Sequence, residues 1–354
     1  MSLNPVTTFD LVDANDMTGL VSLNEATGRS FKPVFNGPGT FSFTLPLNSD
    51  AAYLVAKRST GALITRNGVP IWSGGVTNIV RSAAANTMQV VTTGWLEEFD
   101  HRFVRKAEES TLKFVSIVGG VIVAALINKC NAQTDTDSIV RPLRISSGLS
   151  SDTQVRNRSY NVGDSYGASI RELSTIENGV DFAVDPITRD LDCRDHTGYA
   201  DLKNVRFGWG VDPHNLADVV ETGDGANLFN RVNTVTSGGV VTVADDQDAI
   251  LRAGVMLEEW NSLSDVSDIT IAAAYANAEL VVKRYGLTTY QLTPLSYGDV
   301  QRPYDDFEWG DKCYFSVDQG ALQIDNQAVR MFAGTINYSD EGDEIISELE
   351  VAMS

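Results

Sequence analysis

Histidines are the natural starting point for acid–base chemistry, and this sequence has only three, His101, His196 and His214. His101 follows Phe99-Asp100 near the end of a strand-rich segment, where a surface or packing role is expected. His214 lies in Asp212-Pro213-His214-Asn215, a turn sequence that predicts a solvated imidazole. We therefore expect neither of these two histidines to take part in catalysis.

His196 ends the one segment that carries metal-ligating residue types, Asp192-Cys193-Arg194-Asp195-His196. On a strand, Asp192 and His196 would share one face, whereas Cys193 and Asp195 would share the opposite face. The possible ligands are then divided, and no second cluster completes a tetrahedral site. The sequence accordingly predicts no bound metal and no cofactor.

Carboxylates are the remaining candidates for chemistry. Two acidic runs, Asp245-Asp246-Gln247-Asp248 and Asp340-Glu341-Gly342-Asp343-Glu344, do not follow the spacing of an EF-hand loop, so charged hairpin tips explain them better. Acids such as Asp192 or Glu98 could serve a hydrolase, but among 47 acidic residues some pair always exists. Nucleophile-elbow, zinc-protease, phosphate-loop and dinucleotide motifs are absent from the sequence. We therefore predict that the protein is not an enzyme.

The charge balance limits the possible partners. The sequence has 47 acidic and 27 basic residues, giving a formal net charge of −20. Phosphate contacts need clustered lysine and arginine, so specific binding to nucleic acid or to an anionic membrane surface is not expected. The negative charge agrees with simple solubility and equally with a surface to which DNA must not adhere.

Cysteine spacing and terminal composition indicate the compartment of folding. Cys130, Cys193 and Cys313 lie far apart and are odd in number, so we expect reduced thiols and folding in a reducing cytoplasm. The first ten residues lack the basic and apolar regions of a signal peptide. The most apolar run, residues 114–127, is shorter than the roughly 20 residues that span a membrane.

The elements expected to position these residues are mostly strands. Residues 40–47 alternate strictly between apolar and polar side chains, which predicts a half-buried strand. Asn67-Gly68 between two apolar runs predicts a two-residue hairpin turn. Ser73-Gly74-Gly75 is expected to end one strand before Val76 begins another, and residues 94–99 predict a single helical turn.

Three helices are predicted in the remainder of the chain. The first covers residues 121–129 and begins after Gly119-Gly120. The second begins at Asp164 or Ser165 and ends at Gly179, with an apolar face that consists of Tyr166, Ile170, Leu173 and Ile176. The third covers about residues 267–285, with Asp265 and Asp268 at its start. A hairpin around Pro186 is predicted from residues 180–185 and 190–194.

The order of the elements predicts a mainly β protein with an α+β insertion. We expect two small antiparallel β-barrel or sandwich domains, residues 1–104 and residues 201–354, the second of which contains the helix at about 267–285. Residues 105–200 form the insertion between them. The two β domains share an architecture but no repeated sequence.

Four stretches resemble a family of phage minor tail proteins, the tail-tip hub proteins of long-tailed phages. They are Gly37-Pro38-Gly39-Thr40-Phe41-Ser42-Phe43-Thr44-Leu45-Pro46; Arg66-Asn67-Gly68 with Ile71-Trp72-Ser73-Gly74 and Gly94-Trp95-Leu96-Glu97-Glu98-Phe99; Val205-Arg206-Phe207-Gly208 with Asn227-Leu228-Phe229-Asn230-Arg231-Val232; and Trp309-Gly310-Asp311-Lys312-Cys313 with Arg330-Met331-Phe332-Ala333-Gly334. The family often carries arginines after the helical turn, a pattern that Asp100-His101-Arg102-Phe103 follows in part.

The resemblance implies a structural component of the virion with tube-like barrel domains. A homotrimer would build a pseudo-six-fold ring that continues the tail tube, contacts the distal tail protein, the tape measure protein and tip or fibre proteins, and opens for DNA ejection. The protein would be assembled in the host bacterial cytoplasm. No catalytic residues of the family exist to be transferred to this chain.

Two alternative functions remain open at the level of sequence. The protein could be a distal tail ring or a module that binds host carbohydrate, although its tryptophans are dispersed along the chain, at Trp72, Trp95, Trp209, Trp260 and Trp309. A tail-associated cell-wall hydrolase is the third hypothesis. A hydrolase of this kind would need a separate catalytic domain, and a chain of 354 residues already assigned to β domains leaves little room for one.

Overall fold

A computed structural model of the protein describes residues 5–105, 111–133, 143–175, 179–195, 199–263, 269–296 and 301–353. The first part contains β1 Thr7–Asp13, β2 Gly19–Ser22, β3 Thr27–Lys32, β4 Thr40–Pro46, α1 Asp50–Leu54, β5 Thr60–Arg66, β6 Val69–Ser82, β7 Thr87–Gly94 and a 3₁₀ helix, Trp95–His101. The middle part contains β8 Thr111–Val118, α2 Gly119–Asn131, β9 Ser146–Ser150, β10 Val155–Asn161, α3 Tyr166–Thr175, β11 Val180–Val184 and β12 Asp190–Asp195.

The last part of the chain returns to strands. It contains β13 Asp201–Trp209, β14 Leu216–Asp224, β15 Arg231–Thr236, β16 Val241–Asp245, α4 Gln247–Ala253, β17 Glu258–Leu263, α5 Ile269–Lys283, β18 Leu287–Pro294, β19 Lys312–Gln319, β20 Leu322–Tyr338 and β21 Glu344–Met353. The protein is therefore mainly β with an α+β segment in the middle, as predicted. Within the described ranges, no helix has the length and apolar character needed to cross a membrane.

One large sheet joins the two sets of strands. Its order is β14-β18-β21-β20-β3-β4-β7-β6-β5-β1-β2, and β19 pairs with both β20 and β13. The strand β20 is 17 residues long, which allows it to pair with β19, β21 and β3. Because β20 passes from the second strand set to the first, thirteen of the described strands form one open sheet and do not close into two separate barrels, while β8–β12 and β15–β17 form three small sheets.

Three large apolar clusters lie on this framework. The alternation in β4 buries Phe41, Phe43 and Leu45 in the core of the first strand set, as the sequence predicts. The core of the second strand set is formed by residues such as Phe207, Phe315 and Met331. The third cluster lies in the α+β segment and is formed by residues of α2, α3, the 3₁₀ helix, β11 and β12, including Trp95, Phe99, Ile122, Ile170, Phe182 and Leu191.

The strand β6 corrects one prediction and confirms another. Asn67 and Gly68 have φ values of 50° and 78°, which are the left-handed values that the predicted hairpin turn needs. The glycines after Ser73, however, do not end a strand, because β6 continues through them. A Cβ atom on Gly75 would lie 3.1 Å from the indole of Trp95, so the glycine makes room for that ring inside the strand.

Helix α2 begins two residues earlier than predicted and contains the glycine pair. A Cβ atom on Gly119 would lie 2.5 Å from Val180 Cγ2 and 2.7 Å from Asp152 Oδ2. Close packing against these residues explains glycines in a first helical turn, where they are otherwise unfavourable. The prediction that the helix begins after the pair was therefore wrong.

Helices α3 and α5 lie where the sequence predicts them. Ser165 Oγ accepts a hydrogen bond from Ala168 N at 3.3 Å at the start of α3. Three residues of its predicted apolar face are fully buried, namely Tyr166, Ile170 and Leu173. Helix α5 falls within the predicted range 267–285. Ile176, Asp265 and Asp268 lie outside the described residues.

The acidic run at 245–248 is a helix start rather than a hairpin tip. Asp246 is the N-cap of α4, and its carboxylate accepts a hydrogen bond from Ala249 N at 2.9 Å. The same carboxylate lies 2.9 Å from Nη1 of Arg284. The short helix α4 was missed because seven residues give too little periodicity for a helical pattern to be recognised.

A buried carboxylate connects all three parts of the chain. The side chain of Asp181 on β11 is fully buried, and its Oδ2 lies 2.9 Å from Nη2 of Arg330 on β20. Asp181 Oδ1 accepts a hydrogen bond from Asn36 Nδ2 at 2.8 Å, while Asn36 Oδ1 accepts one from Phe182 N at 2.8 Å. The β3–β4 connection, the α+β segment and the second strand set therefore meet at one ion pair.

Replacing Asp181 with asparagine should destabilise the protein by about 3–5 kcal/mol, because it removes the charge of a fully buried carboxylate that faces the mostly buried guanidinium of Arg330. The measurement is the free energy of unfolding from denaturant titration. D325N is the matched control, since Asp325 is an exposed acid on the same strand as Arg330. Equal losses in the two variants would contradict the role given to Asp181.

All three cysteines are buried, and none of them forms a disulfide bond within the described residues. Burial raises the pKa of Cys193 to about 12, and burial likewise raises the pKa of Cys313 to about 12. Since the thiolate is the reactive form, both groups should stay protonated and unreactive in the folded protein.

Iodoacetamide at about pH 8, close to the usual pKa of a free thiol, should therefore leave the native protein unmodified and label all three cysteines after unfolding in guanidinium. Mass spectrometry of the intact protein measures the number of adducts. Rapid labelling of any native cysteine would show that its surroundings open.

Candidate functional site

Each described histidine has a local role. His101 Nε2 lies 2.7 Å from Glu97 Oε1 on the 3₁₀ helix, and its side chain is 61% exposed. Arg58 donates hydrogen bonds to the same carboxylate, and this contact is the main reason that the pKa of Glu97 is lowered. His214 is exposed, and its Nδ1 accepts a hydrogen bond from Gly210 N at 3.2 Å. These contacts belong to the surface and show no catalytic arrangement.

Asp192 and Cys193 lie on opposite faces of β12, as predicted. Asp192 Oδ1 accepts a hydrogen bond from Leu149 N at 2.7 Å, whereas Cys193 lies in the core of the α+β segment. Asp195 Oδ2 accepts a hydrogen bond from Thr153 Oγ1 at 3.0 Å. His196 lies outside the described residues. In the ranges that the structure describes, no three His, Cys, Asp or Glu side chains form a metal-binding group.

The two acids considered for hydrolysis serve different structural contacts. Glu98 Oε1 lies 2.6 Å from Nη1 of Arg144, and the Glu98 side chain is only 12% exposed. Asp192 accepts a backbone hydrogen bond, as described above. Both carboxylates are therefore engaged in structural contacts, Glu98 with Arg144 and Asp192 with the backbone of Leu149, and neither contact resembles a catalytic acid or base.

One residue of the second acidic run is a buried anchor that sequence reasoning missed. Glu344 starts β21, and its Oε1 lies 2.9 Å from Nε of Arg66 on β5. Both side chains are almost completely buried, and Arg66 also donates to Asp305 at 2.7 and 2.6 Å. The hydrogen bonds from Arg66 are the main reason that the pKa of Asp305 is lowered. Arg66 is 278 residues away from Glu344, so no local pattern could reveal the pair.

The surface of the large sheet that faces away from its cores is lined by polar side chains. In the first strand set, the residues that alternate with the buried Phe41, Phe43 and Leu45 are exposed or half-buried. Pairing of β3 with β4, and of β4 with β7, places them on one face. The members of this face are Ser30, Lys32, Thr40, Ser42, Thr44, Thr87, Gln89, Val91 and Thr93.

The same face continues into the second strand set. Asn337 on β20 lies opposite Ser30 on β3, on the side opposite to the buried Ile336 and Tyr338. Pairing of β20, β21, β18 and β14 extends the surface with the polar residues Thr335, Asn337, Glu348, Glu350, Thr289, Gln291 and Thr293 and with the exposed apolar residues Ile345 and Val220. We refer to these residues of the two strand sets together as the polar face.

The charges on the polar face are few and are mostly neutralised. Lys32 Nζ lies 2.5 Å from Glu350 Oε1, so the cation of this face is paired with an acid. Gln291 Nε2 donates a hydrogen bond to Glu348 Oε1 at 2.5 Å. Hydroxyl and amide groups dominate, and the remaining charge is negative. The residues named for the polar face thus offer hydrogen bonds to water, whereas Arg206 on β13, further along the same sheet, is exposed beyond them.

The structure brings together tryptophans that are dispersed in the sequence. Trp72, Trp95 and Trp309 line one cavity, together with residues from all three parts of the chain. Trp95 is buried, whereas Trp72 and Trp309 are partly exposed. By contrast, Trp260 on β17 is 61% exposed and lies outside this group.

No protein-family model matches the sequence, and no curated protein is significantly similar to it. Among solved structures, the chain is similar to the tail protein from Neisseria meningitidis MC58, with a TM-score of 0.67 and 10% identity over 98% of this chain and 96% of that chain. The 43 kDa tail protein of prophage MuSo2 from Shewanella oneidensis has a TM-score of 0.65 and 12% identity, with 98% of each chain covered.

A third similar structure is the prophage tail protein gp18 from Listeria monocytogenes EGD-e. It has a TM-score of 0.60 and 12% identity, with 97% of this chain and 94% of that chain covered. The likeness extends over nearly the whole length of each protein, although so few residues are identical. The chain therefore has the fold of phage tail proteins.

Proposed function

We propose that this chain is a structural, non-enzymatic component of a phage virion and acts as a hub at the tail tip. The observation that carries the proposal is the likeness in fold to phage tail proteins over 98% of the chain. A hub of this kind caps or continues the tail tube and joins the distal tail protein to tip or fibre proteins. Its residues Glu98 and Asp192 are held in structural contacts, which favours this role over a cell-wall hydrolase.

In this proposal the polar face lines the channel through which DNA passes. A duplex sliding along a wall must not be held by lysine or arginine, because each phosphate contact adds to its affinity. Lys32 is neutralised by Glu350, and the other members of the face carry hydroxyl, amide, apolar or acidic groups. The net charge of −20 agrees with a wall that repels DNA.

The proposed assembly is a homotrimer. Each chain contributes two joined strand sets, so three chains would supply six sets around a ring. Such a ring would contact the tape measure protein in the tube and would open for DNA ejection. It would assemble in the host bacterial cytoplasm before it becomes part of the virion. A distal tail ring is the alternative, and it would use six chains instead of three.

Native mass spectrometry of the purified chain over a range of concentrations tests the assembly. We expect a species of three times the chain mass of 38.4 kDa. A hexamer would support the distal tail ring instead. A chain that remains monomeric both in solution and after cross-linking in purified virions would contradict the hub.

Adding positive charge to the polar face should slow DNA ejection. The double variant S42K/T44K places two cations on adjacent outward positions of β4, where each new phosphate contact would retain the duplex. The kinetics of DNA release from virions that carry the variant measure the effect, which should diminish as salt is raised. S151K is the control, because Ser151 is an exposed position in the α+β segment. Equal ejection rates in the two variants would exclude the polar face as the channel wall.

A further inference from the structure

The hub proposal assigns no role to the cavity lined by Trp72, Trp95 and Trp309. Its volume is about 520 Å³, which lies within the range of small-molecule sites. Its walls come from the β3–β4 connection, the β5–β6 turn, β11 and the segment 304–309. These belong to the first strand set, the α+β segment and the second strand set, so the cavity lies where the three parts of the chain meet.

Aromatic side chains form much of the wall. Besides the tryptophans, they include Phe35, Tyr199 and Tyr304. Trp72 Nε1 donates to Pro38 O at 3.1 Å, and Trp309 Nε1 donates to the hydroxyl of Tyr304 at 3.0 Å. Because both indole N–H groups are already bonded, the rings are held in fixed orientations and offer apolar surface to a ligand.

Arg194 is the cation of this cavity that is left for a ligand. Its guanidinium lies over the ring of Tyr199, 5.6 Å from the centroid, and the residue is exposed. Within the described chain no carboxylate pairs with it, whereas Arg66 on another wall is held by Glu344 and Asp305. The exposed guanidinium of Arg194 is therefore accessible to a ligand, unlike that of the buried Arg66. Such a group binds carboxylates through paired hydrogen bonds.

The cavity also offers hydrogen-bond acceptors. The carboxylate of Glu308 is exposed and forms no ion pair with any residue that the structure describes, while Asp305 lies on the same wall. Hydroxyl groups of a ligand can donate to these oxygens. The cavity therefore combines apolar rings, anionic acceptors and one unpaired cation.

We propose that this cavity binds a carboxylate-bearing saccharide. The C–H faces of a sugar ring pack against aromatic side chains, its hydroxyls donate to Glu308 and Asp305, and its carboxylate pairs with Arg194. A sugar acid matches all three kinds of wall within one compact unit. An extended acidic peptide would use the arginine, but its backbone offers one N–H donor per residue, fewer than the several hydroxyls of one sugar ring, to the acceptors Glu308 and Asp305. This site is independent of the hub role, because it needs neither a trimer nor a channel.

Binding is tested with N-acetylmuramic acid and with N-acetylglucosamine, which differ by one carboxylate-bearing ether group. Ligand-observed nuclear magnetic resonance and calorimetry on the full chain measure affinity. We expect the acidic sugar to bind about tenfold more tightly or better, as one charge-assisted contact predicts. Digalacturonate tests whether another acidic sugar is accepted.

The variant R194M should lose that preference, because it keeps an unbranched apolar stem like that of arginine but removes the guanidinium and its charge. R252M is the matched control, since the guanidinium of Arg252 also lies over a tyrosine, 5.5 Å from the ring centroid of Tyr285, but outside the cavity. The E308Q variant should weaken binding of acidic and neutral sugars alike. Because Arg194 is exposed, R194M should unfold at the same temperature as the unmodified protein.

Three results would overturn the proposal. The first is the absence of binding by any of the acidic sugars at saturating concentration, and the second is equal affinity for the acidic and neutral sugars. The third is binding of the tripeptide Ala-Asp-Ala that is lost in R194M, without any binding of sugars, which would show that the cavity accepts a peptide instead. A trimer would leave each of these outcomes unchanged, so failure here is separable from failure of the hub.

Discussion

The arrangement of the three parts of the chain depends on the need to pair and hydrogen-bond the buried carboxylate of Asp181. A fully buried carboxylate is costly unless it is paired and hydrogen-bonded. Arg330 and Asn36 meet that requirement from two different parts of the chain. Arg330 also lies over the ring of Phe35, 4.8 Å from its centroid. The second buried pair, Arg66 with Glu344, repeats the principle at another point between the two strand sets.

Close packing of aromatic rings against glycine joins the α+β segment to the first strand set. The indole of Trp95 occupies the space that side chains on Gly61 and Gly75 would fill. Guanidinium groups of Arg144 and Arg189 lie 5.6 and 5.5 Å from its ring centroid. Both arginines come from the α+β segment. Trp95 therefore packs against glycines of the first strand set and also binds two cations of the α+β segment.

The large sheet divides apolar and polar chemistry between its two faces. Alternation along β4 buries Phe41 and exposes Ser42, and pairing with β3 and β7 repeats that division across neighbouring strands. The long strand β20 extends the same division into the second strand set. A broad polar surface and the two cores beneath it are therefore consequences of one register. The proposed channel wall and the proposed saccharide site follow from different features, the first from this register and the second from the meeting of three parts.

The sequence by itself determined the features that local pattern controls. Alternation predicted β4, Asn67-Gly68 predicted the hairpin turn, and the start of α3 followed from its capping residues. These predictions hold because side-chain period and turn conformation depend on neighbours in the chain. Catalytic motifs are likewise read from the amino-acid sequence alone, and the prediction that the protein is not an enzyme rests on their absence from it.

Tertiary structure alone decided the features that depend on residues far apart. From the sequence, Glu344 was predicted to belong to a charged hairpin tip. In the structure it is buried and pairs with Arg66, which is 278 residues away. From the sequence, Gly75 was predicted to end a strand. In the structure it lies within β6, where its missing side chain leaves room for the ring of Trp95. The merging of two strand sets depends on β20 reaching β3, and the gathering of Trp72, Trp95 and Trp309 depends on three parts meeting. Burial, ion pairing and packing depend on which residues surround a side chain in the folded protein. Those neighbours are far away in the sequence, so local sequence patterns do not reveal them.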